Sequence, residues 1–416
     1  MNRARHQQRC RGGFAAQALV GQRELPRTAL DGDRHEVLWR ETNPIATYLV
    51  CVHAGPYALL KDNRLPGTPV WNYVYPADST LAVRAFFDVP EMIRYFSTLF
   101  GPYPFERYGQ AEASFSGGME HQQMTTLADF VVRNADSYQW LIAHELGHHW
   151  WGDSVTLRDW RHIWLNEGFA TYADALWAEH QGGRPALMER MDYFAYWIRF
   201  AHDRNVITTV VDPLSTRLFS IDTYNKGAWI LHMLRGIVGD ATFFEILRAY
   251  QAEHRHGTAD TDDFVATAER VAGRPLRWFF DPWLNGEGMA EFQYDWRNDA
   301  LPDGTTLLRV TVRQKQLERG RPLYVMPLEL QIQAGGGELR PTVRVERSPQ
   351  TFAFVVGRPV APDDTNAVRL DTGGWILKTV ERTPLTPVDD AADLVRVRAV
   401  AAPAGSAALD LVLAGG

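Results

Sequence analysis

Cysteine is almost absent from this chain of 416 residues. Cys10 and Cys51 are the only two, and they stand in no metal or redox spacing. That excludes a disulfide framework and leaves one optional bridge. No apolar run reaches the roughly eighteen residues that a membrane span requires. Basic runs are missing too, and the net charge of −7 argues against nucleic acid as the main partner. The amino terminus, MNRARHQQRCRGGFAAQALV, is basic, but its short apolar segment is broken by Gln17. It makes a poor secretion signal, which slightly favours a soluble, cytoplasmic chain.

What is present is ordinary for a globular protein: 45% hydrophobic and 22% charged residues. The length predicts roughly two to four domains. Residues 1–36 carry no clear pattern and read as loop or remnant. Residues 37–85 alternate, with β-branched and aromatic residues, and read as two or three strands including WNYVY; alone they are too few for a sheet with its own core. A helix is predicted from Val89 to Phe100, capped by Asp88 and stopped by Gly101. A second is predicted from near Ser137 to near Gly152. From Leu165 to Glu287 the apolar period is helical almost throughout. Beyond Met289 it switches to short alternating runs parted by Asn-Asp, Pro-Asp-Gly and Gly-Gly-Gly, which reads as a β-sandwich over 290–382. Residues 383–416 form an Ala- and Pro-rich tail in which DDAADLVRVRAVAA reads as one helix.

The chemistry concentrates in HELGHHWWGDSVTLRDWRHIWLNE, His144 to Glu167. His144 and His148 are i and i+4, so a helix places both imidazoles on one face. Glu167 follows after residues 149–166, far enough for the chain to turn back. Two nitrogens and a carboxylate oxygen suit one Zn²⁺ ion, with a fourth position left for water. Glu145 falls beside that position, where a carboxylate can take a proton from water. His149 is roughly 100° round the helix from the ligand face and reads as packed. Trp150, Trp151, Trp160 and Trp164 read as core around these helices.

Two further residues carry chemistry only in company. Glu120, in GGMEH, reads by itself as an exposed strand residue. The flanking Gly117, Gly118 and Met119 let a peptide backbone approach an edge strand, and a carboxylate at its end would hold a free ammonium group. Tyr224, in DTYNKGAWIL, reads locally as a packing residue at a helix start; its alternative role is to donate a hydrogen bond to an oxyanion.

Together GGMEH at 117–121, HELGHHW with Glu167 in WLNEGFA, and Tyr224 in YNKGA resemble the aminopeptidase N family of gluzincins, peptidase family M1, which includes leukotriene hydrolase. The resemblance spans roughly residues 37–380. It implies an α+β fold: a thermolysin-like zinc catalytic domain over 86–289, with a mixed sheet and a helical half, followed by the β-sandwich. It implies zinc on His144, His148 and Glu167, Glu145 as general base, Glu120 as anchor of the substrate amine and Tyr224 as stabiliser of the transition state. The chain departs from the family in having His121 where Asn is usual. WRETNPIATYLVCVHAGPY resembles only the last strands of the family's saddle-shaped first domain, so residues 37–85 are expected to be its remainder and the chain to be truncated at both ends. The function expected is a zinc metallo-aminopeptidase acting on peptides, with no nucleic acid or membrane-spanning partner. The rivals are a thermolysin-like endopeptidase, which would not need Glu120, and a non-catalytic peptide-binding scaffold on the same fold.

Overall fold

Alternation and helical period translate into two structural units, described here from a computed structural model. It describes residues 41–334 and 337–387 in full. Outside them it gives only the backbone strands Arg3–Ala4, Gln7–Gly12, Gln17–Leu19, Arg23–Glu24, Thr28–Ala29, His35–Arg40 and Leu394–Val397. One unit comprises Met1–Asp203 and Val211–Arg274; the other comprises Arg204–Val210 and Pro275–Gly416.

The first unit is built on a five-stranded mixed sheet. Its strands are β1 (Ala58–Asp62), β2 (Val70–Val74), β3 (Tyr108–Ala113), β4 (Gly118–Met119) and β5 (Thr125–Ala128), in the spatial order β4-β5-β3-β2-β1. β2, β3 and β5 run parallel, while β1 and β4 are antiparallel to their neighbours. Strand β2 is the WNYVY run. It hydrogen-bonds between the β1 and β3 strands and so belongs to this sheet rather than to a separate preceding one. Strand β3 is buried along its first five residues, as expected for a parallel strand covered on both faces. Strand β4 is two residues long and forms an edge.

Helices cover the sheet and extend beyond it. Helix α1 (Val89–Phe100) buries Met92, Phe96 and Phe100 and stops at Gly101, whose φ of 101° suits glycine. Asp88 precedes it without capping it: a short helix, Ser79–Ala85, leads directly into Asp88, whose own backbone is αR and whose side chain makes no cap hydrogen bond. Helix α2 (Ala135–Gly147) carries the H-E-x-x-H motif and begins two residues before Ser137. It ends sooner than the sequence period suggests, because residues 148–150 and 152–154 form turns before β6 (Val155–Leu157). Helix α3 (Trp164–Asp203) is interrupted at Gly183, with φ 68° and ψ −162°. Then come α4 (Gly227–Val238), α5 (Asp240–His254), β7 (Gly257–Ala259), parallel to β6, and α6 (Thr261–Ala272). The α6 start is a capping box made by Asp260, the cap, and Asp263.

Trp150, Trp151 and Trp164 are fully buried, and the indoles of Trp150 and Trp164 donate to Gly101 O and Thr261 Oγ1, both at 2.9 Å. Trp160 departs from the core reading. It is 37% exposed and packs at an angle against Tyr48 and edge-on against Phe219, with centroids at 5.3 and 6.2 Å.

The second unit opens with the helix Arg277–Asn285 and continues as two sheets. Long strands Ala290–Ala300, Thr306–Gln314 and Gln350–Val356 form an antiparallel ladder in one, and Met326–Ala334 pairs with Thr342–Val345 and Val368–Leu370 in the other. Alternate residues are buried in Ala290–Ala300 and Met326–Ala334, and the Tyr294 hydroxyl donates to Val368 O at 2.9 Å, tying one sheet to the other. This is a sandwich pattern. Leu394–Val397 is a strand parallel to Gln350–Val356, which overrides the helix read there: LVRV alternates with β-branched residues. The rest of the 383–416 tail beyond residue 387, like most of 1–34, lies outside the described residues.

Candidate metal and peptide site

The H-E-x-x-H spacing does what helix geometry requires. His144 lies in the last turn of α2 and His148 caps it in αR backbone, its N–H still bonded to His144 O at 3.2 Å. Their Nε2 atoms are 3.0 Å apart. Glu167, in the first turn of α3, brings Oε2 to 3.4 Å from His144 Nε2 and 3.3 Å from His148 Nε2. A tetrahedral ion bound to nitrogen and oxygen at about 2.0–2.1 Å would set such ligand atoms about 3.3–3.4 Å apart. The three side chains are buried, and Glu167 Oε2 has no hydrogen-bond partner. A dry, unpartnered carboxylate oxygen facing two imidazole nitrogens is what a cation would satisfy. The donor set therefore fits a metal ion.

Supporting contacts orient the set. His148 Nδ1 lies 3.1 Å from Trp151 O; donation there leaves Nε2 with its lone pair for a metal. Burial opposes ionisation of Glu167, yet the adjacent His148 and His144 imidazoles hold its carboxyl down to about 2. Glu145 is the opposite case. Burial, with Glu120 and Glu167 adding to it against His148, pushes its carboxyl well above the usual range, and its Oε2 has no partner.

Glu145 owes its position to Gly118. A Cβ built on Gly118 would lie 2.4 Å from Glu145 Oε1, 2.6 Å from Cδ and 2.7 Å from Cγ. The glycine is thus explained by the carboxylate packed on it, a reason the sequence did not disclose. Gly117 is different: its φ is 89°, with nothing within 4 Å of an added Cβ. Met119 completes the edge strand, pairing with Thr126, and packs on Ile45, Ala46 and Leu49.

Glu120 is buried, not exposed. Ligand-type atoms of Glu120, Glu145 and His148 lie within 4.8 Å of one another. Glu120 Oε1 accepts from Asn166 Nδ2 at 3.0 Å, and the same amide nitrogen is 3.2 Å from the Tyr48 hydroxyl. Neither Asn166 nor Tyr48 was singled out in the sequence. Asn166 precedes Glu167 in WLNE and could have been marked by that adjacency; Tyr48, more than seventy residues from Glu120, carried no local signal. Tyr224 lies in one π-helical turn, Asp222–Lys226, and its ring stacks on His144 with centroids 6.2 Å apart and planes at 11°. Burial, reinforced by Glu167, holds its hydroxyl far above the usual range, so it stays protonated and can donate. His149 is fully buried, its Nδ1 2.8 Å from the Tyr103 hydroxyl, and burial lowers its pKa to about 3. It is a packed, neutral ring.

A helix-borne H-E-x-x-H is joined here by a glutamate from the next long helix. Residues 85–283 match the Peptidase family M1 domain. The chain is 28% identical to aminopeptidase M1-A of Oryza sativa subsp. japonica, across 71% of this chain and 35% of the rice protein. It is 30% identical to aminopeptidase N of Streptomyces lividans, across 62% and 33%, and 26% identical to aminopeptidase N of Haemophilus influenzae, across 82% and 43%. The chain therefore spans less than half the length of these relatives. The crystal structure of Legionella pneumophila aminopeptidase A in complex with aspartic acid superposes with a TM-score of 0.74 at 19% identity, across 92% of this chain and 45% of that one. That likeness establishes the α+β fold. Among the described residues no helix is long and apolar enough to cross a membrane.

Proposed function

We propose that the chain is a zinc aminopeptidase that removes the amino-terminal residue of peptides. The observation that carries this reading is the nearness of Glu120 to the histidine–glutamate cluster, within 4.8 Å of His148 and Glu145. An extended chain advances about 3.3–3.6 Å per residue, so a substrate ammonium on Glu120 leaves room for one residue before the scissile carbonyl. An endopeptidase needs an open cleft there. The relatives' names as aminopeptidases agree with it.

His144, His148 and Glu167 would hold one zinc ion, which when bound supplies Lewis-acid polarisation and a more acidic water. The remaining work falls to the chain. The two-residue edge strand Gly118–Met119 offers an unpaired side for an extended peptide backbone, by β-addition. Glu120, held by Asn166, receives the ammonium through a charge-assisted hydrogen bond. Glu145 takes the proton of the attacking water and returns it to the leaving amine. The Tyr224 hydroxyl donates to the oxygen that gains charge in the transition state.

A panel of aminoacyl fluorogenic substrates, with and without a chelator, tests the proposal. Turnover that is lost to the chelator and restored by zinc is expected; a chain that binds peptides without cleaving them would be the scaffold instead.

A further inference from the structure

A second group of metal-type ligands lies outside the site just described. Cys51 and His53 are two residues apart, His53 opening the strand His53–Gly55, and both are half-buried while Val52 between them is exposed. His121 reaches the same place from the turn after Met119. One ligand atom from each of the three lies within 4.8 Å of the others, and all three residues are half-buried.

Thr126 holds both rings. Its Oγ1 is 2.9 Å from His53 Nε2 and 2.8 Å from His121 Nδ1. The hydroxyl oxygen can accept from both rings, which fixes both orientations as an outer-shell group does at metal sites and leaves each ring's other nitrogen its lone pair. Among the described residues the Cys51 sulfur makes one long contact, 4.0 Å, to Met124 O.

We propose that Cys51, His53 and His121 form a second metal site, selective for a thiophilic divalent cation such as zinc, beside the turn that carries Glu120. Thiolate plus two imidazoles is a donor set for such an ion, with one position left for water. Zinc–ligand distances of about 2.0–2.3 Å imply ligand separations of about 3.3–3.7 Å, so closure needs side-chain shifts of about 1 Å. Burial keeps both rings neutral, lowering His121 to about 4, which leaves lone pairs for a metal. The same burial pushes the Cys51 thiol up to about 12, so the ion must displace the thiol proton on binding.

Cobalt distinguishes the two sites, because only the second contains sulfur. The metal-stripped full chain, titrated with Co²⁺, should take two equivalents, and one should bring near-ultraviolet thiolate-to-cobalt absorption. Cys51→Ser should remove that absorption and one equivalent, and Cys10→Ser should keep both. His148→Ala should keep the absorption while losing the other equivalent. Thr126→Val should weaken the sulfur site about 10–100-fold. If Cys51→Ser fails to fold, the paired change His53→Gln with His121→Asn gives the same reading. A single equivalent without sulfur absorption, or absorption that survives Cys51→Ser, overturns the proposal.

Discussion

Gly118→Ala isolates the placement of Glu145 from every other feature of the site. The glycine's backbone is not left-handed, so alanine meets no φ penalty there. The new methyl meets the Glu145 side chain instead, at 2.4–2.7 Å from Oε1, Cδ and Cγ, where ordinary contacts need about 3.5–4.0 Å. The carboxyl must therefore retreat by about 1 Å. Displacing a catalytic group by that much costs on the order of 10²-fold in rate, within the 10²–10⁴ that a general base contributes. We expect kcat to fall about 100-fold, with KM changed little and metal content retained. Overpacking adds about 1–3 kcal/mol of destabilisation, which a thermal melt can follow. Gly117→Ala is the control: its methyl has open space, so its cost is backbone strain and Glu145 stays in place. If Gly118→Ala turns over within about threefold of wild type, where a hundredfold loss is expected from the displaced base, the position given to Glu145 is wrong.

Glu145→Gln should keep the metal yet lose about 10²–10⁴ in kcat, whereas His148→Ala should lose the metal itself, visible by elemental analysis. Tyr224→Phe should lower kcat by about 10²–10³ with KM nearly constant, because its bond exists mainly in the transition state; a defect in melting temperature alone would mark it as packing. Glu41 is buried and pushed up to about 8, chiefly by burial, despite accepting from Asn43 N at 2.8 Å. The folded state therefore holds a proton that the unfolded state releases near 4.5, so this group's stabilisation is full below that pH and is lost as pH rises to about 8. Glu41→Gln should flatten that decline in denaturant titrations, and an unchanged slope would show that Glu41 ionises normally.

The parts of the site read from the sequence are those set by helix periodicity. His144, Glu145, His148 and Glu167 are a matter of i, i+4 and a return helix; the structure brings the two histidines and Glu167 within 3.0–3.4 Å of one another and Glu145 within 4.8 Å of His148. Tyr224 was harder, because its π-helical turn inserts an extra residue that no 3.6 period encodes. Tyr48 was invisible and Asn166 was marked only by its adjacency to Glu167, since their link to Glu120 is a tertiary contact between segments far apart in sequence. The same is true of Val70–Val74, whose five residues read as a strand without revealing that β3 would pair beside them. Asp88 looked like a cap because the pattern after it was right; the helix before it took the backbone angle that a cap needs.

The central claim is that Glu120 counts substrates from the amino terminus. The most direct measurement is kcat/KM for one peptide with a free amino terminus and the same peptide acetylated, in the wild-type chain and in Glu120→Ala. A buried charge-assisted contact of this kind is worth about 2–5 kcal/mol, so the free peptide should be preferred by at least about 30-fold. Glu120→Ala should bring that ratio close to one. Equal cleavage of both peptides by the wild-type chain, or a preference that survives Glu120→Ala, would contradict the account.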